Sequence, residues 1–177
     1  MDRMWSPWRS QHIATFKQDH TPDGEGSVFA RIAAEPSEHD ADHFVLWRGE
    51  RVFVVMNLYP YNNGHLLLVP FRQVADYRVL TAAEQREIAT LTDRALGWLD
   101  AALQPDGYNV GMNQGLAGGA GIPDHIHVHI VPRWRGDTNF MPVTGETKVI
   151  PEGLRETYEK LREAVAAHRD TPDMSAS

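Results

Sequence analysis

The sequence predicts an α+β domain built on an antiparallel sheet, and three features indicate this. Five short runs rich in Val, Ile and Leu have the length and boundaries of strands. Most of these runs are joined by short turns of the hairpin kind, which favours antiparallel pairing. Two or three further stretches have apolar residues at helical spacing. No internal repeat or linker divides the chain, so we expect one domain.

Local signals place each element in order along the chain. Ser27 is a suitable N-cap for a short helix that must end before Pro36. Thr81 and Glu84 make a capping box, and Pro105 stops the long helix that follows. The predicted helices span residues 27–34, 81–103 and 152–168, and the predicted strands span residues 43–47, 52–58, 66–69, 107–112 and 126–132.

Composition bounds both the organisation and the function of the chain. With 177 residues, 42% of them hydrophobic, it suits one domain with its own core. We expect residues 1–26 to form an irregular N-terminal arm, 27–170 the domain and 171–177 a disordered tail. The chain has no cysteine, which excludes disulfides and thiolate metal ligands. The net charge of −7 argues against non-specific nucleic-acid binding.

The sequence also bears on location. Its longest apolar runs fall short of the roughly 18 residues that a membrane-spanning helix needs. The stretch before Ser10 lacks the apolar segment of a secretion signal. These two features predict a soluble cytoplasmic protein with no membrane partner.

Three histidines at alternate positions are the most informative feature of the sequence. His125, His127 and His129 lie within one apolar run that ends at Pro132. Side chains two residues apart in a strand share a face, so the three imidazoles should point one way and the apolar residues between them the other. A row of imidazoles is costly to bury without partners. The pattern therefore indicates nucleophilic chemistry on phosphate, a metal site or a hydrogen-bonded structural cluster.

Nucleophilic chemistry makes specific demands that this run can meet. A neutral imidazole can attack phosphorus and form a covalent intermediate, provided that its second ring nitrogen is held as N–H. Donors must also surround the non-bridging phosphate oxygens. On this hypothesis His127 attacks, while His125 and His129 orient it and donate hydrogen bonds. The glycine-rich loop just before the run offers backbone N–H groups to an anion. Its candidate contacts are Asn113, Gly119 and Gly121.

Metal binding is the strongest alternative for the histidine run. Alternating histidines on a strand can bind zinc, iron or copper. Such sites usually recruit a further carboxylate or a distant histidine, and the sequence points to no such ligand. A hydrogen-bonded structural role for the three rings is the remaining alternative.

Two separated blocks resemble a known family. Residues 125–131 resemble the histidine-triad motif, in which three alternating histidines are each followed by apolar residues. Residues 57–70 resemble that family's nucleoside-binding strand pair, with its glycine–histidine turn. The segments 4–9, 58–62 and 132–140 are similar to the bacterial diadenosine tetraphosphate (AP-4-A) phosphorylase branch of this histidine-triad (HIT) family.

The resemblance implies a fold and an activity. The HIT-like fold is a five-stranded curved antiparallel sheet with a long helix and a C-terminal helix, usually in a homodimer or a dimer of dimers. The implied enzyme is a nucleotidyltransferase or hydrolase that cleaves dinucleoside polyphosphates at an α-phosphate through a covalent nucleotidyl-His127 intermediate. Diadenosine tetraphosphate and inorganic phosphate would be its substrates, and ADP and ATP its products. No cofactor is implied.

Roles for individual residues also come from the resemblance. It implies that the backbone carbonyl of His125 fixes the tautomer of His127. It also implies that His129 and Asn113 bind phosphate oxygens, and that His65 supports the network from behind. The implied substrate contacts are Asn57 at the ribose, Trp134 on the base, and Arg133, Arg135 and Lys148 on the remaining phosphates.

Departures from the family leave part of the chemistry open. Several members carry a Cys-x-x-Cys zinc site, but the matching stretch here begins at Ser27 and has no cysteine, so that metal site is absent. Fungal phosphorylases have Gln as the third triad residue, whereas this chain keeps His129. The second acceptor is therefore phosphate or water.

Alternatives remain for the function and for single positions. The rivals are a HIT hydrolase acting on a dinucleoside polyphosphate or an adenosine phosphoramidate, a nucleotide-binding or sensing protein with incidental turnover, and a metal-dependent enzyme. Asn113 is alternatively a turn residue, and Asn57 a strand-end hydrogen-bonding residue. Trp134 is alternatively a packing residue.

Overall fold

A five-stranded sheet forms the centre of the protein. The computed structural model describes residues 26–137 and 152–169. The strands are β1 (Val45–Arg48), β2 (Val52–Met56), β3 (Leu66–Pro70), β4 (Gly107–Met112) and β5 (Val128–Arg133), and the helices are α1 (Val28–Ala34), α2 (Ala82–Leu103) and α3 (Leu154–Arg169). The strand order is β1-β2-β3-β5-β4, with every neighbouring pair antiparallel. The predicted α+β class is therefore confirmed.

The first two helices begin where local signals predicted. Ser27 Oγ caps α1 by accepting a hydrogen bond from the Ala30 N–H at 3.1 Å. At the start of α2, Thr81 Oγ1 accepts from the Glu84 N–H and the Glu84 carboxylate accepts from the Thr81 N–H. These two bonds complete the predicted capping box. Beyond the last turn of α2, Gln104 takes a left-handed conformation with φ of 49°, which ends the helix.

Three predicted strands differ from the observed ones by two residues at one end. β1 begins later than predicted because Phe44 has a left-handed backbone, with φ of 58°. β2 ends earlier because Asn57 Oδ1 accepts the Tyr59 N–H at 3.0 Å and turns the chain. β5 begins later because the Ile126 N–H donates to the Val74 carbonyl at 2.7 Å, outside the sheet. Two of the three histidines consequently precede the strand.

Apolar side chains bury both faces of the sheet. α2 and α3 cover the first face, and α1 covers β1, β2 and β3 on the second face. β2 and β3 are buried along their whole length, as expected for strands covered on two sides. The first-face core includes Val54, Leu66, Leu68, Trp98, Leu99, Ile126, Val128, Ile130 and Leu161, and the second-face core includes Phe29, Ile32, Phe53, Val55, Leu67 and Val69.

The second face is also the face of the histidines. Leu67, which belongs to the second-face core, lies directly opposite His129, and Gly111 lies opposite His129 on its other side. Residues directly opposite in an antiparallel pair share a face. His129 therefore lies beside the area that α1 covers, while the apolar residues between the histidines point into the first-face core, as predicted.

Some predictions fall outside the described residues. These are the N-terminal arm up to residue 25, the tail from residue 170 and the candidate phosphate contact Lys148. None of the helices in the described ranges combines the length and the apolar composition that crossing a bilayer requires.

Candidate active site

The His127 ring is held in one tautomer by the main chain. Its Nδ1 lies 2.9 Å from the carbonyl oxygen of His125. Because a carbonyl can only accept, Nδ1 carries the proton. Burial lowers the pKa of His127, so the ring is neutral at neutral pH. The lone pair is therefore on Nε2, as a nucleophile on phosphorus requires.

The His129 ring is held in the opposite tautomer by a relay through His65. The Tyr61 N–H donates to Nδ1 of His65 at 3.1 Å, and the Asn57 side-chain amide donates to the same atom at 3.3 Å. With Nδ1 accepting, the His65 proton must lie on Nε2, which donates to Nδ1 of His129 at 2.9 Å. The His129 proton is therefore on Nε2, and this buried atom has no hydrogen-bond partner among residues 26–137 and 152–169.

A buried donor without a partner is costly and calls for a ligand or a water. Burial and, to a lesser extent, the adjacent His127 ring lower the pKa of His129 to about 4, so His129 is neutral at neutral pH. Its centroid is 4.8 Å from that of His127. Two neighbouring neutral rings thus present a lone pair on one and an N–H on the other.

His125 is fully buried, and both of its ring nitrogens are bonded. Nε2 donates to the Pro70 carbonyl at 2.8 Å, and Nδ1 lies 2.6 Å from Ser27 Oγ. Burial lowers the pKa of His125, so Nδ1 accepts from the serine hydroxyl. His125 therefore has no ring nitrogen left for a substrate, and it acts on the site through its carbonyl.

Aromatic packing holds the histidine cluster in place. The Phe29 ring meets His127 at a centroid distance of 5.1 Å and His125 at 5.7 Å, both edge-on. On the other side, the Tyr61 ring stacks on His129 at 5.7 Å with an interplanar angle of 16°. These contacts restrict rotation of the imidazoles, which preorganises the site.

A groove of about 280 Å³ opens beside His129 on the sheet face of β4 and β5. Gly111 contributes to this opening because it lies opposite His129 and has no side chain. A Cβ atom at Gly111 would meet no other atom within 4 Å. The groove is lined by Tyr61, Asn109, Val110, Gly111, Met112, Asn113, His129, Val131 and Arg133.

The glycine-rich loop closes on itself before it reaches the histidines. The N–H groups of Gly119 and Ala120 donate to the carbonyls of Leu116 and Gly115, and the Asn113 amide donates to the Gly119 carbonyl at 3.4 Å. Gly119 has a φ of 84°, which favours glycine there. This bonding accounts for the loop's shape. Contacts from Gly119 and Gly121 to phosphate stay predictions.

Two of the predicted phosphate contacts have different surroundings: Arg133 is the last residue of β5, and Arg135 lies two residues beyond it. Arg133 forms a bidentate pair with Asp137, at 2.6 and 2.7 Å, and also donates to Asn109 Oδ1. Its charge is therefore already neutralised within the protein. Arg135 is exposed, and Trp134 is half-buried with its backbone N–H donating to Asp137.

The buried Asn62, which sequence reasoning missed, braces the loop that carries Tyr61. Its amide donates to the Pro132 carbonyl at 3.0 Å and to Asp137 at 2.8 Å. The partners are more than 60 residues away in the chain, so no local pattern signals these bonds.

Among residues 26–137 and 152–169, no three histidine, aspartate or glutamate side chains are grouped as a metal site would need.

Comparisons with known proteins identify the family of this chain. Residues 38–136, more than half of the chain, match the family model of the HIT domain. The AP-4-A phosphorylase of Mycobacterium tuberculosis is 39% identical over 161 residues, which cover 91% of this chain and 83% of that protein. A bis(5'-nucleosyl)-tetraphosphatase of Schizosaccharomyces pombe is 30% identical over 93 residues, covering 52% of this chain and 50% of that protein.

Solved structures show the same fold. A zinc-bound histidine triad family protein from Mycobacterium smegmatis superposes with a TM-score of 0.65 at 24% identity, covering 81% of this chain and 96% of that one. A histidine triad nucleotide-binding protein from Sulfolobus tokodaii gives 0.63 at 23% identity, covering 81% and 94%.

The fold, with its three clustered histidines, is thus that of a histidine-triad protein. The chain belongs to the HIT domain family. The predicted resemblance to the AP-4-A phosphorylase branch is confirmed by the sequence match over most of the chain, and with it the enzyme class, a nucleotidyltransferase or hydrolase.

Proposed function

We propose that this protein cleaves dinucleoside polyphosphates at an α-phosphate through a covalent His127 intermediate, and that its reaction is phosphorolysis of diadenosine tetraphosphate to ADP and ATP. One observation carries the proposal: the Nδ1–H of His127 is bonded to a backbone carbonyl, which leaves the Nε2 lone pair beside the His129 N–H, a donor without a partner in the part of the chain that the structure describes. A nucleophile and an oxyanion donor thereby occupy adjacent rings.

The proposed reaction consists of two successive displacements at the α-phosphorus. In the first, the His127 Nε2 lone pair forms a bond to the α-phosphorus and the bridging P–O bond breaks, which releases ATP. In the second, an oxygen of inorganic phosphate attacks the same phosphorus and the N–P bond breaks, which releases ADP and restores the imidazole. The His129 Nε2–H donates to a non-bridging oxygen as charge develops in each transition state.

The sequence relatives support the choice of substrate. The Mycobacterium tuberculosis relative is named AP-4-A phosphorylase and shares most of its length with this chain. The Schizosaccharomyces pombe relative is named for hydrolysis of a bis(5'-nucleosyl) tetraphosphate. Both names specify a dinucleoside tetraphosphate, and the broader match is to the phosphorylase.

The remaining substrate contacts are part of the same proposal. Asn113 lines the groove beside His129, and in this proposal it would bind a phosphate oxygen. Trp134 would stack on a base, and Asn57 would contact ribose after releasing its bond to the Tyr59 N–H. Gly119 and Gly121 would approach the phosphates, and Lys148 would bind the distal ones. We propose no cofactor.

Hydrolysis is the second candidate, and the third triad position favours it. His129 stands where fungal phosphorylases carry glutamine, so water could replace phosphate as the second acceptor, on a dinucleoside polyphosphate or an adenosine phosphoramidate. A sensing protein with incidental turnover is the rival from another class, and it requires tight nucleotide binding with negligible turnover.

Oxygen-18-labelled phosphate separates these candidates. Phosphorolysis requires inorganic phosphate and transfers the label into ADP, whereas hydrolysis proceeds without phosphate and yields unlabelled AMP. Full activity in excess chelator is expected, because the proposed steps use only imidazole groups. Wild-type turnover in His127→Ala would reject the covalent mechanism. Tight nucleotide binding with negligible turnover in the wild type would instead leave nucleotide binding as the function.

Assembly and location complete the proposal. We propose a cytoplasmic homodimer or dimer of dimers. β4 is an edge strand of the sheet, and its residues Val110 and Met112 are exposed. Edge strands with exposed apolar groups favour pairing with another chain. Light scattering coupled to size exclusion measures the assembly, and a monomer at working concentration would reject this part.

A further inference from the structure

One hydroxyl group ties α1 to the histidine cluster. Ser27 Oγ donates to His125 Nδ1 at 2.6 Å, while the opposite nitrogen of the same ring donates to the Pro70 carbonyl at 2.8 Å. A ring bonded at both nitrogens can neither rotate nor exchange tautomers without breaking a buried hydrogen bond. The partners Ser27 and His125 are 98 residues apart in the chain.

The serine hydroxyl is itself fixed in direction. Its oxygen accepts the Ala30 N–H at 3.1 Å, and the Ser27 N–H donates to Gln73 Oε1 at 2.9 Å. With its acceptor side used by the helix, the hydroxyl directs its single proton at His125. Ser27 therefore has two functions, capping α1 and restraining a buried imidazole.

Anchoring His125 affects the position of the nucleophile His127, because a hydrogen bond joins these two residues. The His125 carbonyl accepts the His127 Nδ1–H, and both residues precede the first residue of β5, Val128. That carbonyl lies before the paired residues of β5, so its position depends on the anchored His125 ring and on the N–H of its own peptide unit, that of Ile126, which donates to the Val74 carbonyl at 2.7 Å. Phe29, from the same helix as the serine link, packs on the His127 ring at 5.1 Å.

We propose that Ser27 is a positioning residue for His127. By holding the His125 ring against the Pro70 carbonyl, its hydroxyl places the carbonyl that keeps the His127 lone pair on Nε2. The effect of the Ser27 hydroxyl on turnover rests on the proposed function. Its effect on the His127 tautomer does not depend on that function.

The test compares Ser27→Gly with Thr81→Gly. Glycine retains most of the N-cap preference, so Ser27→Gly removes the bond to His125 at small cost to α1. Thr81→Gly is the matched control, because it removes the capping hydroxyl of α2 and touches no histidine. Ser27→Thr keeps the hydroxyl and should restore the function. Should Ser27→Gly not fold, Ser27→Cys, with a thiol that donates weakly, replaces it.

Two readouts are measured on the full chain. The first is the rate of nucleotidyl-enzyme formation in a single turnover with diadenosine tetraphosphate. Ser27→Gly should lower this rate by about 10- to 100-fold, the loss typical of misplaced catalytic groups, while the Kd for AMP changes far less. The second is the imidazole ¹⁵N spectrum of His127 without substrate, which should change from one tautomer to a mixture.

The outcomes separate this inference from the proposed function. It is overturned if Ser27→Gly forms the adduct as fast as Thr81→Gly, or if His127 keeps a single tautomer in Ser27→Gly. Ser27→Thr behaving like Ser27→Gly would also overturn it. If instead the wild type forms no adduct, the proposed function fails, and the tautomer spectrum still tests the role of Ser27.

Discussion

Buried histidines make the folded state sensitive to acid, and His129 allows this sensitivity to be calculated. Its pKa is about 4 in the folded protein, chiefly because of burial, against an ordinary value of 6.5. Between these two values the unfolded chain binds a proton that the folded chain does not. The stabilisation is therefore complete above pH 6.5 and is lost as the pH falls toward 4.

Linkage gives the size of the effect. With pKa values of 6.5 unfolded and about 4 folded, His129 alone should remove about 2 kcal/mol of unfolding free energy between pH 7.5 and pH 5. The pKa values of His125 and His127 are also lowered by burial, so they add to the loss in the same direction. Between pH 7.5 and pH 5 the wild-type protein should accordingly lose more unfolding free energy than the His129 contribution alone.

His129→Gln isolates the contribution of one ring, since glutamine does not titrate. The assay is urea unfolding at pH 7.5 and pH 5 at constant ionic strength, for wild type and variant. The pH-dependent loss should be smaller in the variant by about 2 kcal/mol. The control is His39→Gln, which removes an exposed histidine. It should show the same pH-dependent loss of unfolding free energy as the wild type. Parallel pH dependences in wild type and His129→Gln would refute the assignment of a partly buried, neutral ring.

Three further predictions address the nucleophile, the base contact and a turn. His127→Ala should lower turnover by at least about a thousandfold, with a much smaller change in nucleotide binding, as initial rates and calorimetry will show. Trp134→Ala should weaken AMP binding by about 1–3 kcal/mol if the indole stacks on the base, and an unchanged Kd would reject stacking. Gly64→Ala should destabilise the fold by about 1–3 kcal/mol in urea unfolding, because Gly64 has a φ of 71° and an added Cβ would collide with Leu103.

The sequence predicted best those features that local interactions determine. The α2 capping box needs only Thr81 and Glu84, three residues apart, and the helix begins where they predicted. The alternation of His127 and His129 with apolar residues likewise predicted which side chains would reach the core. In both cases the pattern itself extends over only a few residues, so its spacing is visible in the sequence.

Features that depend on distant partners were not predictable in this way. β5 begins later than its apolar pattern suggests because the Ile126 N–H bonds to Val74, some 50 residues earlier. The link from Ser27 to His125 is of the same kind, as it spans 98 residues. An N-cap serine is recognisable from its neighbours, but its second partner appears only once α1 packs on the sheet.

The site also shows how a chain with a net charge of −7 can provide for an anionic substrate. Arg133 is neutralised by Asp137, so it contributes little net charge to the groove. In the proposed function, binding at the α-phosphate would then rely on directed dipoles rather than on fixed positive charge. Two backbone groups, the His125 carbonyl and the Tyr61 N–H, set opposite tautomers on adjacent rings, which separates the proposed nucleophile from the proposed donor. Neutral rings are essential to this arrangement, since protonating His127 would remove the lone pair.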